Sequence, residues 1–154
     1  MHHLLYKNDR RLTRMKPMKP PRKTWANHPP RPIKPRAPDS VKRDVEAKAR
    51  ELIESFFKPA HVHPPPTDSS WNYVVDIYSR WYRNYFYFCS KYASPGPNAI
   101  SPFFETKFAR MEYMPTGRFN LAYYRYTGQW LEVFTDLSLE ECLEMIEKGP
   151  WFNP

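Results

Sequence analysis

The sequence predicts an α+β domain: an N-terminal helix, a five-stranded, largely antiparallel meander and a C-terminal helix. A disordered, basic, proline-rich arm over 1–38 precedes this single domain of 39–154. Three observations predict it. Apolar residues recur at helical spacing over 41–57 and again over 139–146. Between 71 and 135 the period changes to two. The first 40 residues hold eight of the 18 prolines, and proline lacks the donor that helices and ladders need.

In the first helix, Val41, Val45, Ala49, Leu52, Ile53 and Phe56 form one stripe. Asp39 or Ser40, following Pro38, can cap it, and Pro59 is expected to stop it. Glu46 and Arg50 are an i,i+4 pair on its wet side. Residues 58–70, with Pro59, Pro64, Pro65 and Pro66, read as a loop.

The first strand begins near Trp71. Its alternation puts Tyr73, Val75 and Ile77 on one face and Val74, Asp76, Tyr78 and Arg80 on the other. A second strand over 85–92 follows a turn at 82–84, where Asn84 is the residue expected to take a positive φ. Residues 93–102, including Ser94-Pro95-Gly96-Pro97-Asn98, form a long loop. The third, fourth and fifth strands run over about 105–114, 119–126 and 130–135. Pro115-Thr116-Gly117 and Thr127-Gly128 join them, and turns this short require antiparallel neighbours.

The last helix carries a capping box, Ser138 with Glu141, and Leu137 can staple to Cys142. Leu139, Cys142, Leu143 and Ile146 form its apolar stripe, and Gly149 is expected to supply a positive-φ stop before Pro150. A domain of about 110 residues can bury a core without disulfides or metals.

The net charge is +8, and all of the excess lies in the arm. Residues 1–40 hold eleven Lys/Arg and two acids, a balance of +9, whereas the rest holds thirteen bases and fourteen acids. Residues 15–38 should be extended or disordered. Through Lys16, Lys19, Arg22, Lys23, Arg31, Lys34 and Arg36 such an arm suits a phosphate-rich or acidic partner. It reads equally as a solubilising tail, or as a start placed too early, with Met15 or Met18 the true one. Pro29-Pro30-Arg31-Pro32 also fits a polyproline ligand, a short match common by chance. The prolines forbid the long amphipathic helix of a mitochondrial presequence.

Several function classes find no support. No apolar run reaches the length of a membrane helix, and the start lacks the apolar segment of a secretory signal. Two distant cysteines make neither a disulfide framework nor a zinc ribbon, so a reducing cytoplasm is the expected location. All four glycines are assigned to a loop, two hairpin turns and a helix cap, which leaves none for a phosphate-cradling loop. His61-Val62-His63, even with Asp68, lacks a full ligand set and reads as exposed loop histidines. Cys89 and Cys142 read as small buried hydrophobes. Glu140, Glu141, Glu144 and Glu147 lie on a solvated helix face, not in a paired acid/base site. No cofactor and no enzymatic activity are therefore expected.

The positive signal is aromatic. Tyr73, Val75, Ile77, Phe86, Phe88, Ala109, Met111, Leu121, Leu131 and Val133 are assigned to the sheet face that packs on the helices. The other face would show Tyr78, Arg80, Tyr85, Tyr87, Arg110, Tyr124, Tyr126 and Trp130. Tyrosines interleaved with arginines make a stacking platform for single-stranded nucleic acid. The same residues also serve as simple cover for a sheet or as a protein interface.

Phe108-Ala109-Arg110-Met111-Glu112-Tyr113, Phe119-Asn120-Leu121-Ala122-Tyr123 and Thr127-Gly128-Gln129-Trp130 lead into residues 137–146 and Trp151-Phe152. This series resembles a group of short hypothetical bacterial proteins, those of the domain of unknown function 3024. The resemblance covers 101–154, about a third of the chain. It implies a small stand-alone α+β domain and, since the family has no assigned activity, no catalytic residue. The basic arm is not part of the pattern.

Together these readings lead to a non-enzymatic binding domain of unknown oligomeric state. It would be an accessory factor on nucleic acid or a nucleoprotein, with the arm giving affinity and the sheet any preference. The alternative is a protein–protein adaptor with an incidental basic tail. An open Tyr/Arg face would favour the first and a flat, apolar, self-complementary face the second. A deep pocket around a desolvated carboxylate or histidine would revive an enzyme.

Overall fold

A computed structural model of the chain describes residues 29–30, 33–67 and 70–154. Lys16, Lys19, Arg22, Lys23 and Arg31, and the disorder expected of 1–28 and 31–32, lie outside the described residues, whereas residues 34–37, also expected to be disordered, lie against the domain. Helix α1 (Asp39–Leu52) runs through a π-turn (Ile53–Phe57) into the short α2 (Lys58–His61). Strands β1 (Tyr73–Tyr82), β2 (Tyr85–Ala93), β3 (Phe103–Tyr113), β4 (Phe119–Tyr124) and β5 (Trp130–Leu137) follow, and α3 (Leu139–Lys148) closes the chain. The strands lie in sequence order in one sheet, each antiparallel to its neighbour, which is the expected meander.

The helices cover one face of the sheet. Val45, Ala49, Leu52, Ile53 and Phe57 pack with Leu139, Cys142, Ile146 and Phe152 onto Ile77, Phe86, Phe88, Met111 and Leu121. At the centre, the ring of Phe108 lies 5.2 Å from Phe57 and 5.9 Å from Phe88. Burying a phenylalanine contributes about 1.5–3 kcal/mol. Leu143, placed in the core stripe by the sequence, is only half-buried.

The first helix departs from expectation at both ends. Neither Asp39 nor Ser40 caps it: Pro38 is the N-cap, with no side-chain hydrogen bond. Pro59 does not stop it either, because α2 continues to His61 with the proline in its first turn. In a regular α-turn the proline ring would meet the carbonyl four residues back. Here the chain widens first, and the Lys58 N–H donates to the Ile53 carbonyl.

Two register shifts break the period of two in the first three strands. One, between Val74 and Asp76, leaves Val75 unpaired. Val74, rather than Tyr73 or Val75, therefore packs against the core. The other sets Phe88 opposite Ala109 but Cys89 opposite Lys107, so Phe108 is the extra residue. Leu131, also assigned inward, lies at the edge of the sheet and is 41 % exposed.

Three turn residues behave differently from their sequence reading. Arg83, not Asn84, takes the positive φ of the first hairpin, at 55°. Asn84 is buried instead, its Oδ1 accepting from the Ala37 N–H at 3.2 Å and its Nδ2 donating to the Pro35 carbonyl at 3.0 Å. These bonds hold the segment before α1 on the domain, and the compact unit starts at Ile33 rather than Asp39. Strand β4 ends at Tyr124, which leaves Tyr126 in the turn.

Gly149 has an ordinary φ of −73° and supplies no left-handed stop. Glycine is required there for space, since a Cβ would stand 2.5 Å from the Met145 carbonyl oxygen. The capping box at the other end of α3 forms as expected: Glu141 N–H donates to Ser138 Oγ at 3.1 Å and Ser138 N–H to Glu141 Oε2 at 2.8 Å.

Gly149→Ala should therefore destabilise the domain by about 1–3 kcal/mol in urea titrations, the cost of overpacking. Gly96→Ala, where nothing lies within 4 Å of the added methyl group, should leave the midpoint unchanged.

Candidate functional site

The face away from the helices carries the aromatic and basic residues. Strand alternation sets Arg80 opposite Tyr87 and Tyr82 opposite Tyr85 across β1–β2, and Tyr87 opposite Arg110 across β2–β3. Arg110 in turn faces Ala122 on β4, and Tyr124 faces Trp130 on β5. Ala122 is small and buried, so the Trp130 ring reaches over β4. It lies 5.1 Å from Tyr124 and 5.6 Å from Tyr87, which is itself 6.1 Å from Tyr85.

The chain's own cations occupy part of this ring cluster. The Arg110 guanidinium sits 4.8 Å from the Tyr85 ring centre and 4.9 Å from that of Trp130. Its Nε is buried and without a hydrogen-bond partner. The Lys107 ammonium stands 4.4 Å over Tyr87. Tyr87 is buried, which pushes its phenol upward, while the neighbouring Arg110 pulls it back. Tyr78 is half-buried, and burial together with the adjacent Glu105 carboxylate raises its phenol far above the usual range.

Beside the cluster lies a groove of about 400 Å³ lined by Arg80, Trp81, Tyr82, Tyr87 and Lys107. Its lining contains two cations, three aromatic residues and no carboxylate. Elsewhere the face is of mixed charge. Asp76 and Glu105 both pair with Lys91 in the ladder. Glu112 is buried and accepts a 2.8 Å hydrogen bond from Lys34, whose ammonium is raised above its ordinary range by that bond.

The sequence-predicted residues thus divide into three groups. Tyr78, Arg80, Tyr85, Tyr87, Arg110, Tyr124 and Trp130 come together on one face. Tyr126 is 98 % exposed, in the turn after β4 rather than on the sheet. Of the arm, Lys34 lies against Glu112 and Arg36 is exposed.

Lys107 is the residue that sequence reasoning missed. It shares odd parity with Ala109 and Met111 and so reads as inward-facing. The bulge at Phe108 turns it outward, and no sequence signal announces a bulge. Tyr82 was missed because it reads as part of the turn at 82–84, whereas β1 includes it.

Other candidates do not assemble. His61 stacks on Phe57 at 6.2 Å, and burial lowers its pKa. Among the described residues no group of three His, Cys, Asp or Glu is placed to hold a metal. Cys89 and Cys142 are free and buried on opposite faces of the sheet. Burial raises both thiols, that of Cys142 to about 12. Among the described residues no helix is long and apolar enough to cross a membrane.

A five-stranded meander with helices on one face and aromatic residues on the other defines a two-layer α+β domain. The chain belongs to the family Domain of unknown function (DUF3024), which matches residues 37–154. The match extends the C-terminal resemblance back to the segment before α1 and leaves out the basic arm. No curated protein and no solved structure matches the chain significantly.

Trp130→Ala should destabilise the domain less than Ile146→Ala in denaturant titrations. Ile146 is fully buried between the layers, and emptying such a site costs about 2–5 kcal/mol, whereas Trp130 packs on the uncovered face.

Proposed function

We propose that this chain is a non-enzymatic binding domain that holds single-stranded nucleic acid on the open face of its sheet. The observation that carries this reading is the groove lined by Arg80, Lys107, Tyr82 and Tyr87 without a carboxylate. Cations that track phosphates beside ring faces that stack bases are the two elements of sequence-tolerant single-strand binding. Tyr82 and Tyr124 are the more exposed rings of the face, with one side of Tyr82 taken by the Arg83 guanidinium at 5.2 Å. The +9 balance of residues 1–40 supplies the long-range attraction that the nearly neutral remainder lacks. Both thiols are shifted away from reactivity, which weighs against nucleophilic chemistry.

A protein partner is the second reading. It is favoured by the carboxylates Asp76, Glu105, Glu112 and Glu132 that share the sheet face, and by the stacking of Arg110 and Lys107 on their own rings.

Fluorescence anisotropy with a labelled oligonucleotide tests the first reading. If about five bases neutralise phosphates, log affinity should fall against log salt with a slope of about −3.5, or two decades between 50 and 200 mM. Arg80→Ala with Lys107→Ala should reduce that slope by about 1.4 and leave the melting temperature unchanged. Binding that is insensitive to both changes would remove the groove from the site, and no binding by the full chain would transfer the face to a protein partner.

A further inference from the structure

The two edges of the sheet differ. On β5 the ladder shifts register twice, and Asp136 takes a φ of 57°. Bulges of this kind twist an edge away from further pairing. On β1, past the bulge at Val75, the seven residues from Asp76 to Tyr82 pair without interruption, and among the described residues no strand lies on their outer side. The Ile77 N–H points outward, since it donates to the Asp76 Oδ1 at 2.8 Å rather than to β2. By the strand period, Ser79 and Trp81 present their outward groups in the same direction.

Along this edge runs a groove of about 230 Å³, bounded by Asp76, Ile77, Tyr78 and Ser79 on one side and the helices on the other. The charged helix residues in its wall are Glu46, Arg50, Glu54 and Lys58. They lie four apart with alternating sign. An α-helical row at this spacing drifts by about 40° a step. The wider π-turn between Glu54 and Lys58 reverses that drift and keeps the row over β1.

Both patterns are self-complementary under one two-fold axis. If β1 pairs antiparallel with a second copy about Tyr78, Asp76 faces the other Arg80, and Ile77 faces the other Ser79. The outward groups of the latter two then match as a hydrogen-bonded pair. On the helices the same inversion sets Glu46 against Lys58 and Arg50 against Glu54. The helix row is centred on Leu52, whose neighbour Ile53 lines the same groove as Tyr78, the middle of the strand, so one axis serves both. Among the described residues Glu46, Arg50 and Arg80 have no ion-pair partner, whereas Lys58 reaches Glu54 at 2.7 Å and Asp76 at 3.4 Å.

We propose that the occupant of this edge is a second copy of the chain, joined β1 to β1 in a continuous ten-stranded sheet with α1 of each subunit beside that of the other. An isologous contact of this kind closes on itself. Asp76 guards the edge in the free subunit; on association it releases the Ile77 N–H to the other strand and turns to the other Arg80.

Sedimentation velocity of the full chain over a concentration series tests this. The wild type should sediment as a dimer. Ser79→Pro, which removes an outward donor, should be a monomer with an unchanged circular dichroism spectrum. Arg50→Glu should raise the dissociation constant about tenfold, and adding Glu54→Arg should restore it, since the swapped pair is again complementary. A wild-type monomer at about 100 μM, or a dimer indifferent to Arg50→Glu, would overturn the proposal; if Ser79→Pro fails to fold, the Arg50 pair decides alone.

Discussion

Phe108 is one residue more than its ladder needs, and much of the molecule depends on where its ring goes. It enters the core between Phe57 and Phe88, joining the π-turn to the middle of the sheet. The backbone that delivers it cannot stay in register, so β3 changes parity at this point. Ala109 and Met111 remain inside, and Lys107 is turned to the other face, over Tyr87. One packing decision therefore sets both the aromatic core and the charge of the groove opposite.

The open face is held together by its own electrostatics. Arg110 lies between Tyr85 and Trp130, and Lys34 is bound to Glu112. Stacked cations of this kind fix the rings with little loss of entropy, because the guanidinium is planar and pre-organised. A ligand on this face meets a preformed surface and competes with these internal pairs. The same economy of contacts appears where the chain enters the domain: one carboxamide, Asn84, satisfies both a donor and an acceptor of the incoming segment.

The sheet has two ends to protect, and it treats them differently. Bulges and a left-handed residue disrupt β5, whereas β1, past its single bulge at Val75, is regular from Asp76 to Tyr82 behind one carboxylate, Asp76. A long regular edge is a liability unless something covers it. The π-turn acts at this same edge, since it brings Lys58 within reach of Asp76 while carrying the helix past Pro59. A wide turn and the outer edge of β1 thus belong to a single arrangement.

Much of the fold was legible in residue order, for reasons that are local. The stripes of α1 and α3, the capping box at Ser138, and the short turns at Gly117 and Gly128 depend on neighbours within a few positions, and they set the element order and the meander. The grouping of Tyr85, Tyr87 and Arg110 followed from the same alternation. What remained hidden required contacts distant in sequence. A strand pattern carries no mark for an extra residue, so the bulges at Val75 and Phe108 could not be placed, and the facing of Val74 and Lys107 was lost with them. Asn84 looked like a turn residue until the segment at 35–37 claimed its amide, and the positive φ passed to Arg83. Gly149 looked like a left-handed cap, but the approach of the Met145 carbonyl, not a dihedral angle, is what excludes a side chain there. Local periodicity determined which elements exist; the packing of Phe108 against Phe57 and Phe88 decided which residues each element shows.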